Sequence, residues 1–374
     1  MPKPTAAHDI PELTALRILA ALCVVVSHLH GLGIVSAARL HEILDGGRPA
    51  VSFFFVLSGF IMNHNYPLLH GGDSLAVRRY ARSRIVRLYP TLLLSLCMAL
   101  PIGIYLVATH AHAQLLEFYA LKDHYVLELA ASAVAQLLAL TGWAPVAAIN
   151  QPWNGPAWSL SCEFFFYAMF PFIRPVMQRH SSRVILSAVV VIWMLQGAWI
   201  LAIDKLIPGN RAGFLVYQFP ITHLFEFVLG ISAGILAGRL DGRQLRVLSL
   251  AATLSALLVL AAVHFMKPDM PAYYGMSPLF AVVILVIARS SGSPWLAPLR
   301  LSFVVALGHA SYALYIVHVP MLIGARLLGI GTEIGWLWLP LLLLASLVVH
   351  YWYAEPVRRL LLGRPQPIRA PITG

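Results

Sequence analysis

Apolar residues run along the chain in blocks too continuous for water-exposed helices. They fall at about 13–30, 50–66, 88–108, 126–142, 157–177, 184–203, 214–237, 245–265, 273–289, 301–323 and 335–354. Most approach the roughly 20 apolar residues that carry a helix across a bilayer. The pattern predicts an all-α integral membrane protein, but the blocks cannot all span. Basic residues decide which do, because they gather in cytoplasmic loops. Arg78, Arg79, Arg82, Arg84 and Arg87 follow the second block, and Arg174, Arg179 and Arg183 follow 157–177. Arg239, Arg243 and Arg246 follow 214–237, Arg289 and Arg300 bracket the next basic loop, and Arg358, Arg359, Arg364 and Arg369 close the chain. All of these fall on one side only if 126–142 does not cross. That block is short and carries Glu128 and Gln136, so it is expected to be a re-entrant or interfacial helix. The expectation is ten transmembrane helices with both termini cytoplasmic. Residues 1–374 would form a single transmembrane domain, with 1–12 and 360–374 as short cytoplasmic tails.

Composition agrees. The chain has 374 residues, 59 % hydrophobic and 11 % charged, where a soluble domain carries about 25 % charged residues. The net charge of +11 reads as a basic cytoplasmic face rather than a nucleic-acid surface. Cys23, Cys97 and Cys162 all lie in apolar blocks, which argues against a disulfide framework or a zinc site and suggests small buried hydrophobes. The polar N-terminal segment with Pro2, Pro4 and Pro11 does not read as a cleaved signal peptide. No GxSxG, P-loop or HExxH pattern is present.

The first block, Leu13–Leu29, contains Arg17 and His28. Eleven residues apart, they lie close to three helical turns from one another, on one face and roughly 16 Å apart along the axis. Ionisable groups inside a membrane helix are costly and call for partners elsewhere; the alternative is that both snorkel to the two interfaces. In the expected topology Arg17 lies toward the cytoplasm and His28 toward the outer leaflet. Glu163, in the inward-running block at 157–177, falls at a depth similar to His28. An imidazole beside a carboxylate is a competent general base, though Glu163 could instead pair with Arg17 for structure alone.

Three further stretches carry polar chemistry. The arginine cluster 78–87 runs into Leu88-Tyr89-Pro90 with no lysine. The planar guanidinium fork suits phosphate oxygens, and the same cluster suits a topology signal gripping anionic lipid. The stretch Asn154–Tyr167 enters the membrane with Asn154, Trp158, Ser159 and Tyr167 ahead of or within an aromatic run. These suit sugar hydroxyls, or helix capping and interfacial anchoring. In Ser311–Pro320, His318 falls near the outer leaflet, and His309 and His350 read as structural.

Taken together, these stretches resemble the membrane-bound acyltransferase-3 family, which O-acylates sugars of cell-envelope and exported polysaccharides. The matching blocks are Arg17-x10-His28, FFVLSGF at Phe54–Phe60, RxxR…YP at Arg84–Pro90, WSLxxExxFY at Trp158–Tyr167 and SYxLYxxHxP at Ser311–Pro320. The resemblance implies a ten-helix bundle in the bacterial cytoplasmic (inner) membrane and an acyl-CoA donor, usually acetyl-CoA, taken from the cytosol. It implies an acceptor hydroxyl on an extracytoplasmic or lipid-linked sugar or exopolysaccharide, no metal and no nucleic acid, and association with polysaccharide biosynthesis or export proteins. His28 and Glu163 would be catalytic. Arg17, Arg82, Arg84, Arg87 and Tyr89 would bind the donor, and Asn154, Trp158, Ser159, Tyr167 and His318 the acceptor. The family often reads Gly-Val-acid before the Phe pair, where this chain has Ala50-Val51-Ser52. Many members also carry an extracytoplasmic esterase-like domain, whereas this chain ends soon after its last block. Two other classes remain open: a proton-coupled secondary transporter, against which the lack of a visible repeat counts, and a structural subunit of an export complex.

Overall fold

The computed structural model describes residues 9–37, 47–122, 124–266 and 273–363, and among them every regular element is helical. Arg364, Arg369 and most of both expected tails lie outside the described residues. The first helices are α1 (Pro11–Gly31), α2 (Arg48–Asn65) and α3 (Ser74–Ala108). Two shorter ones follow, α4 (His112–Tyr119) and α5 (Tyr125–Leu137). Then come α6 (Trp158–Gln178), α7 (Ser182–Leu206), α8 (Asn210–Tyr217) and α9 (Pro220–Ala237). The chain continues with α10 (Gly242–Met266), α11 (Tyr273–Arg289) and α12 (Ser302–Leu327). It closes with α13 (Trp338–Val348), a π-helical segment Val349–Ala354, and α14 (Glu355–Leu362).

Among the described residues, six helical stretches are long and apolar enough to cross a membrane. A bent pair, Tyr274–Arg289 with Pro294–Arg300 at 102°, is a seventh. The α-helix of the 126–142 block covers Tyr125–Leu137, about 20 Å at 1.5 Å per residue, too short to span. It lies instead on the 147–154 strap. The Ser132 hydroxyl donates to the Ile149 carbonyl at 2.7 Å, and the Gln136 amide donates to those of Pro152 at 2.7 Å and Asn154 at 3.1 Å.

The basic loops meet at one end of the bundle. Arg239 donates to the carbonyls of Gln178 and His180, and Arg289 to those of Ala237 and Leu240. Arg82 reaches Leu361, and Arg174 reaches Asn63. Glu12, fully buried at the start of α1, accepts from the Ser291 hydroxyl at 2.8 Å and the Gly292 amide at 2.9 Å. The arginine bonds to backbone carbonyls satisfy groups near helix ends that lack intrahelical partners.

The core depends on two backbone-to-backbone crossings. A Cβ on Gly59 of α2 would collide with the Phe227 carbonyl of α9, and one on Gly230 with the Val56 carbonyl of α2. A Cβ on Gly308 of α12 would strike the Thr14 carbonyl of α1. Small residues at helix contacts supply close packing where lipid removes the hydrophobic drive for association. Around the α2–α9 crossing, Phe55, Phe166, Phe170 and Phe227 are fully buried, and the Phe166 and Phe227 rings stack at 4.9 Å. Of the cysteines, Cys162 is buried and Cys23 half-buried, but Cys97 is exposed on α3, where a small apolar thiol suits a lipid-facing surface. Gly230→Ala is expected to cost about 1–3 kcal/mol or more through overpacking. The unfolding midpoint of the purified protein in detergent measures it, and Gly238→Ala, where a Cβ meets nothing, should leave that midpoint in place.

Candidate functional site

Three cavities stack along the face of α1 that bears Arg17 and His28. The first, about 370 Å3, opens at the basic end. Arg17, Arg84, Arg87 and Arg358 line it, with Asp9, Glu355, His309 and His350. Four guanidiniums against two carboxylates leave it cationic. The middle chamber is small, about 60 Å3, and combines Arg17, Glu163, Ser159 and Ser311 with Phe54, Phe55, Leu88, Leu160, Tyr312 and Tyr315. The third, about 330 Å3, holds His28, Arg48, Gln151, Trp158, Tyr217 and Gln218. Arg17 and Tyr312 border both the first and the middle cavity, and Val51 and Tyr315 both the middle and the third. The three cavities form a row within an apolar bundle, from the arginine end to the histidine end.

Local sequence explains each placement. Asp73 caps α3 by accepting the Ala76 amide at 2.9 Å, and the helix then runs through the arginine cluster as one 35-residue element. Arg84 and Arg87, one turn apart, face inward, while Arg78, Arg79 and Arg82 are exposed. Arg84 donates to the Tyr66 hydroxyl at 2.8 Å and lies over the Tyr66 and Tyr167 rings at 5.2 and 5.9 Å. These contacts hold the guanidinium in a fixed orientation. His350 reaches the cavity from the π segment, a helix distortion common at functional sites. Tyr353 in the same segment donates to the Pro90 carbonyl at 3.1 Å.

At the other end, His28 Nδ1 lies 2.9 Å from the Val24 carbonyl and His318 Nδ1 lies 3.1 Å from the Leu314 carbonyl, each one turn back. A carbonyl only accepts, so Nδ1 carries a proton in both rings, and a neutral ring then keeps its lone pair on Nε2. The rings stand 5.0 Å apart, edge to face. His318 is completely buried, and its Nε2 has no hydrogen-bond partner among the described residues.

The site expected from sequence is partly assembled. Arg17, Arg84 and Arg87 converge on the arginine-end cavity. Arg82 instead turns to the Leu361 carbonyl and Tyr89 to that of Leu137, with the Tyr89 ring against Phe164 at 5.7 Å; neither lines that cavity. His28 and Glu163 line neighbouring cavities rather than a common one. Glu163 accepts from the Tyr167 hydroxyl one turn along, while His28 Nδ1 meets the Val24 carbonyl. Trp158 lines the histidine-end cavity and Ser159 the middle chamber. Buried Asn154 ties elements together: its amide donates to the Ser95 hydroxyl at 3.1 Å and the Ile316 carbonyl at 2.9 Å.

His309 and His350, read as structural, line the arginine-end cavity with their rings stacked at 6.3 Å. Sequence reading passed over Arg48, His223 and Glu226 altogether. The last two are fully buried and interact at 3.3 Å. The signal was present: two ionisable residues at i, i+3 inside an apolar block, the same criterion that singled out Arg17 and His28.

These features define a multi-pass helical membrane protein with a row of cavities between a cationic end and an imidazole. An acyltransferase domain model, that of the acyltransferase-3 family, matches residues 10–355, and the chain belongs to that family. Acyltransferase MdmB of Streptomyces mycarofaciens is 29 % identical over 392 residues, covering 96 % of this chain and 94 % of the relative. O-acetyltransferase OatA of Staphylococcus aureus is 22 % identical over 343 residues, covering 84 % of this chain and 51 % of its own. A putative peptidoglycan O-acetyltransferase of Bacillus subtilis, YrhL, is 25 % identical over 355 residues, covering 87 % and 51 %. This chain therefore spans about half the length of the latter two. No solved structure gives a significant match.

Asn154→Leu leaves the Ile316 carbonyl and the Ser95 hydroxyl without this partner, and is expected to cost roughly 1–3 kcal/mol of stability. A lowered unfolding midpoint checks that structural role; an unchanged midpoint with weakened sugar binding would return Asn154 to the acceptor site.

Proposed function

We propose that the chain is a transmembrane O-acyltransferase. It takes an acyl group, acetyl in the first instance, from cytosolic acyl-CoA and delivers it to a hydroxyl of an extracytoplasmic or lipid-linked sugar or exopolysaccharide. The observation that carries this reading is the row of three neighbouring cavities that lie between Arg84 and Arg87 at one end and His28 at the other. The proposed setting is the bacterial cytoplasmic membrane, with ten spans and both termini inside. Convergence of the basic loops at one end of the bundle supports that orientation.

In this reading Arg84 and Arg87 hold the CoA phosphates in the arginine-end cavity, where planar forks match phosphate oxygens. The thin pantetheine arm passes Arg17 and Tyr312 into the middle chamber. Glu163 offsets the Arg17 charge there, which keeps a lone cation out of the low-dielectric interior. The thioester carbonyl lies toward His28. Neutral His28, proton on Nδ1 and lone pair on Nε2, takes the proton of the acceptor hydroxyl. The freed oxygen bonds to the acyl carbon, the carbon–sulfur bond breaks, and the thiolate takes the proton from the His28 imidazolium. The products are the sugar ester and free CoA thiol. Acyl transfer through His28 as nucleophile uses the same geometry.

His28→Ala is expected to lower transfer of labelled acetyl from acetyl-CoA to a sugar acceptor by about a hundredfold or more; full activity would overturn the assignment. Arg84→Lys keeps the charge but loses the fork, so the KM for acetyl-CoA should rise about tenfold while the acceptor KM stays constant. Mass spectrometry of envelope and secreted glycans with and without the protein identifies the acceptor through the lost acyl increment.

A further inference from the structure

The helix pair α8–α9 is interrupted at Gln218 and Phe219, which leaves the last carbonyls of α8 without intrahelical partners. Side chains take three of them. The Thr222 hydroxyl donates to Leu215 at 2.7 Å, the Tyr274 hydroxyl to Val216 at 2.6 Å, and His223 Nε2 to Tyr217 at 2.7 Å. The last bond has a further consequence. Because Nε2 must carry a proton to reach a carbonyl, His223 Nδ1 and Glu226 Oε1, 3.3 Å apart, hold a single proton between them. Ser52 donates to the same carboxyl oxygen at 3.2 Å, and Ser277 to Ser52 at 3.0 Å. All four side chains are buried. Among the described residues, the other carboxyl oxygen of Glu226 has no hydrogen-bond partner.

A buried imidazole–carboxyl pair is costly in hydrocarbon and is retained where it serves a site. Its neighbours show which. The His223 ring lies 5.5 Å from that of Trp158 and 6.3 Å from that of Tyr217. Trp158 and Tyr217 pack on each other at 4.9 Å, and the Arg48 guanidinium lies over Tyr217 at 5.0 Å. Trp158, Tyr217, Gln218 and Arg48 all line the cavity that holds His28. The dyad thus stands directly behind one wall of that cavity and grips it at the Tyr217 carbonyl.

We propose that His223 and Glu226 are positioning residues for the acceptor. Their shared proton fixes the Trp158–Tyr217 wall, against which the sugar bearing the reactive hydroxyl rests. The inference depends on the acyltransferase reading for the occupant of the cavity, and on the structure alone for the placement of the wall. A neutral amide at 226 can donate to His223 Nδ1, as a protonated carboxyl would, and with its second N–H to Ser52, which then donates to Ser277; Glu226→Gln keeps the same contacts with the serine bonds reversed. Glu226→Leu and His223→Leu destroy them.

The test uses the purified full chain in detergent. In the leucine variants the acceptor KM should rise about tenfold or more while the KM for acetyl-CoA stays within about twofold, and Glu226→Gln should stay close to the parent protein. A second readout needs no turnover. Gln218→Cys, made in a Cys97→Ser background, reports the wall through its rate of labelling by a water-soluble maleimide. That rate should change about tenfold with Glu226→Leu and hardly at all with Glu226→Gln. If the leucine variants do not fold, Ser52→Ala removes only one donor to Glu226 and should raise the acceptor KM about threefold with the donor KM constant. Unchanged acceptor KM and labelling in folded variants overturn the proposal, as does an equal rise in both KM values. If the parent protein transfers no acyl group to any sugar, the transferase reading fails and the labelling arm alone decides the dyad.

Discussion

Hydrocarbon satisfies no hydrogen bonds, and the rest of this structure follows from that. Each polar group carried into the bundle must find its partner inside the protein. The polar residues of α1, α3, α6 and α12 therefore collect on inward faces, where they line one row of cavities. The apolar faces of Phe54, Phe55, Leu88 and Leu160 narrow that row at its middle. A helix bundle that kept its charges at the interfaces would need neither the Arg17–Glu163 chamber nor the paired imidazoles.

The same constraint accounts for the irregular backbone. The α8–α9 interruption, the π segment at Val349–Ala354 and the 147–154 strap all leave carbonyls without their usual helical donors. Thr222, Tyr274 and His223 repair the first. Helix α5 and Trp153 brace the strap, the Trp153 indole donating to the Leu129 carbonyl at 3.1 Å. All three irregular stretches line a cavity, the first with Tyr217 and Gln218, the second with His350 and the strap with Gln151. Regular helices make the container, and the breaks admit polar side chains to its interior.

Against this, the packing is held by contacts that carry no charge. The Gly59–Gly230 approach lets α2 and α9 cross at backbone distance, and Gly308 does the same for α12 on α1. Three residues that line the middle chamber, Val51, Phe54 and Phe55, sit on α2. A shift of α2 away from α9 would move that chamber's wall, so the glycines govern the chamber's width although they take no part in its chemistry.

The sequence by itself determined the solvent, the helical class and the residues with an electrostatic reason to be inside. Block length, the arginine loops and the spacing of Arg17 and His28 depend only on local periodicity and on the cost of charge in lipid. It also showed that 126–142 is unlike its neighbours. Partners were decided only by the tertiary structure, because helices far apart in the chain come together through packing that no single helix encodes. Thus Glu163 was legible as an intramembrane carboxylate, but its place beside Arg17 rather than in the His28 cavity was not. Arg82 and Tyr89 share a motif with Arg84 and Arg87, yet a rotation of 100° per residue points them at other helices. His223 and Glu226 carried the same local signal as Arg17 and His28. What singles them out is the interruption before α9 and the wall of Trp158 and Tyr217, and these exist only once the bundle has closed.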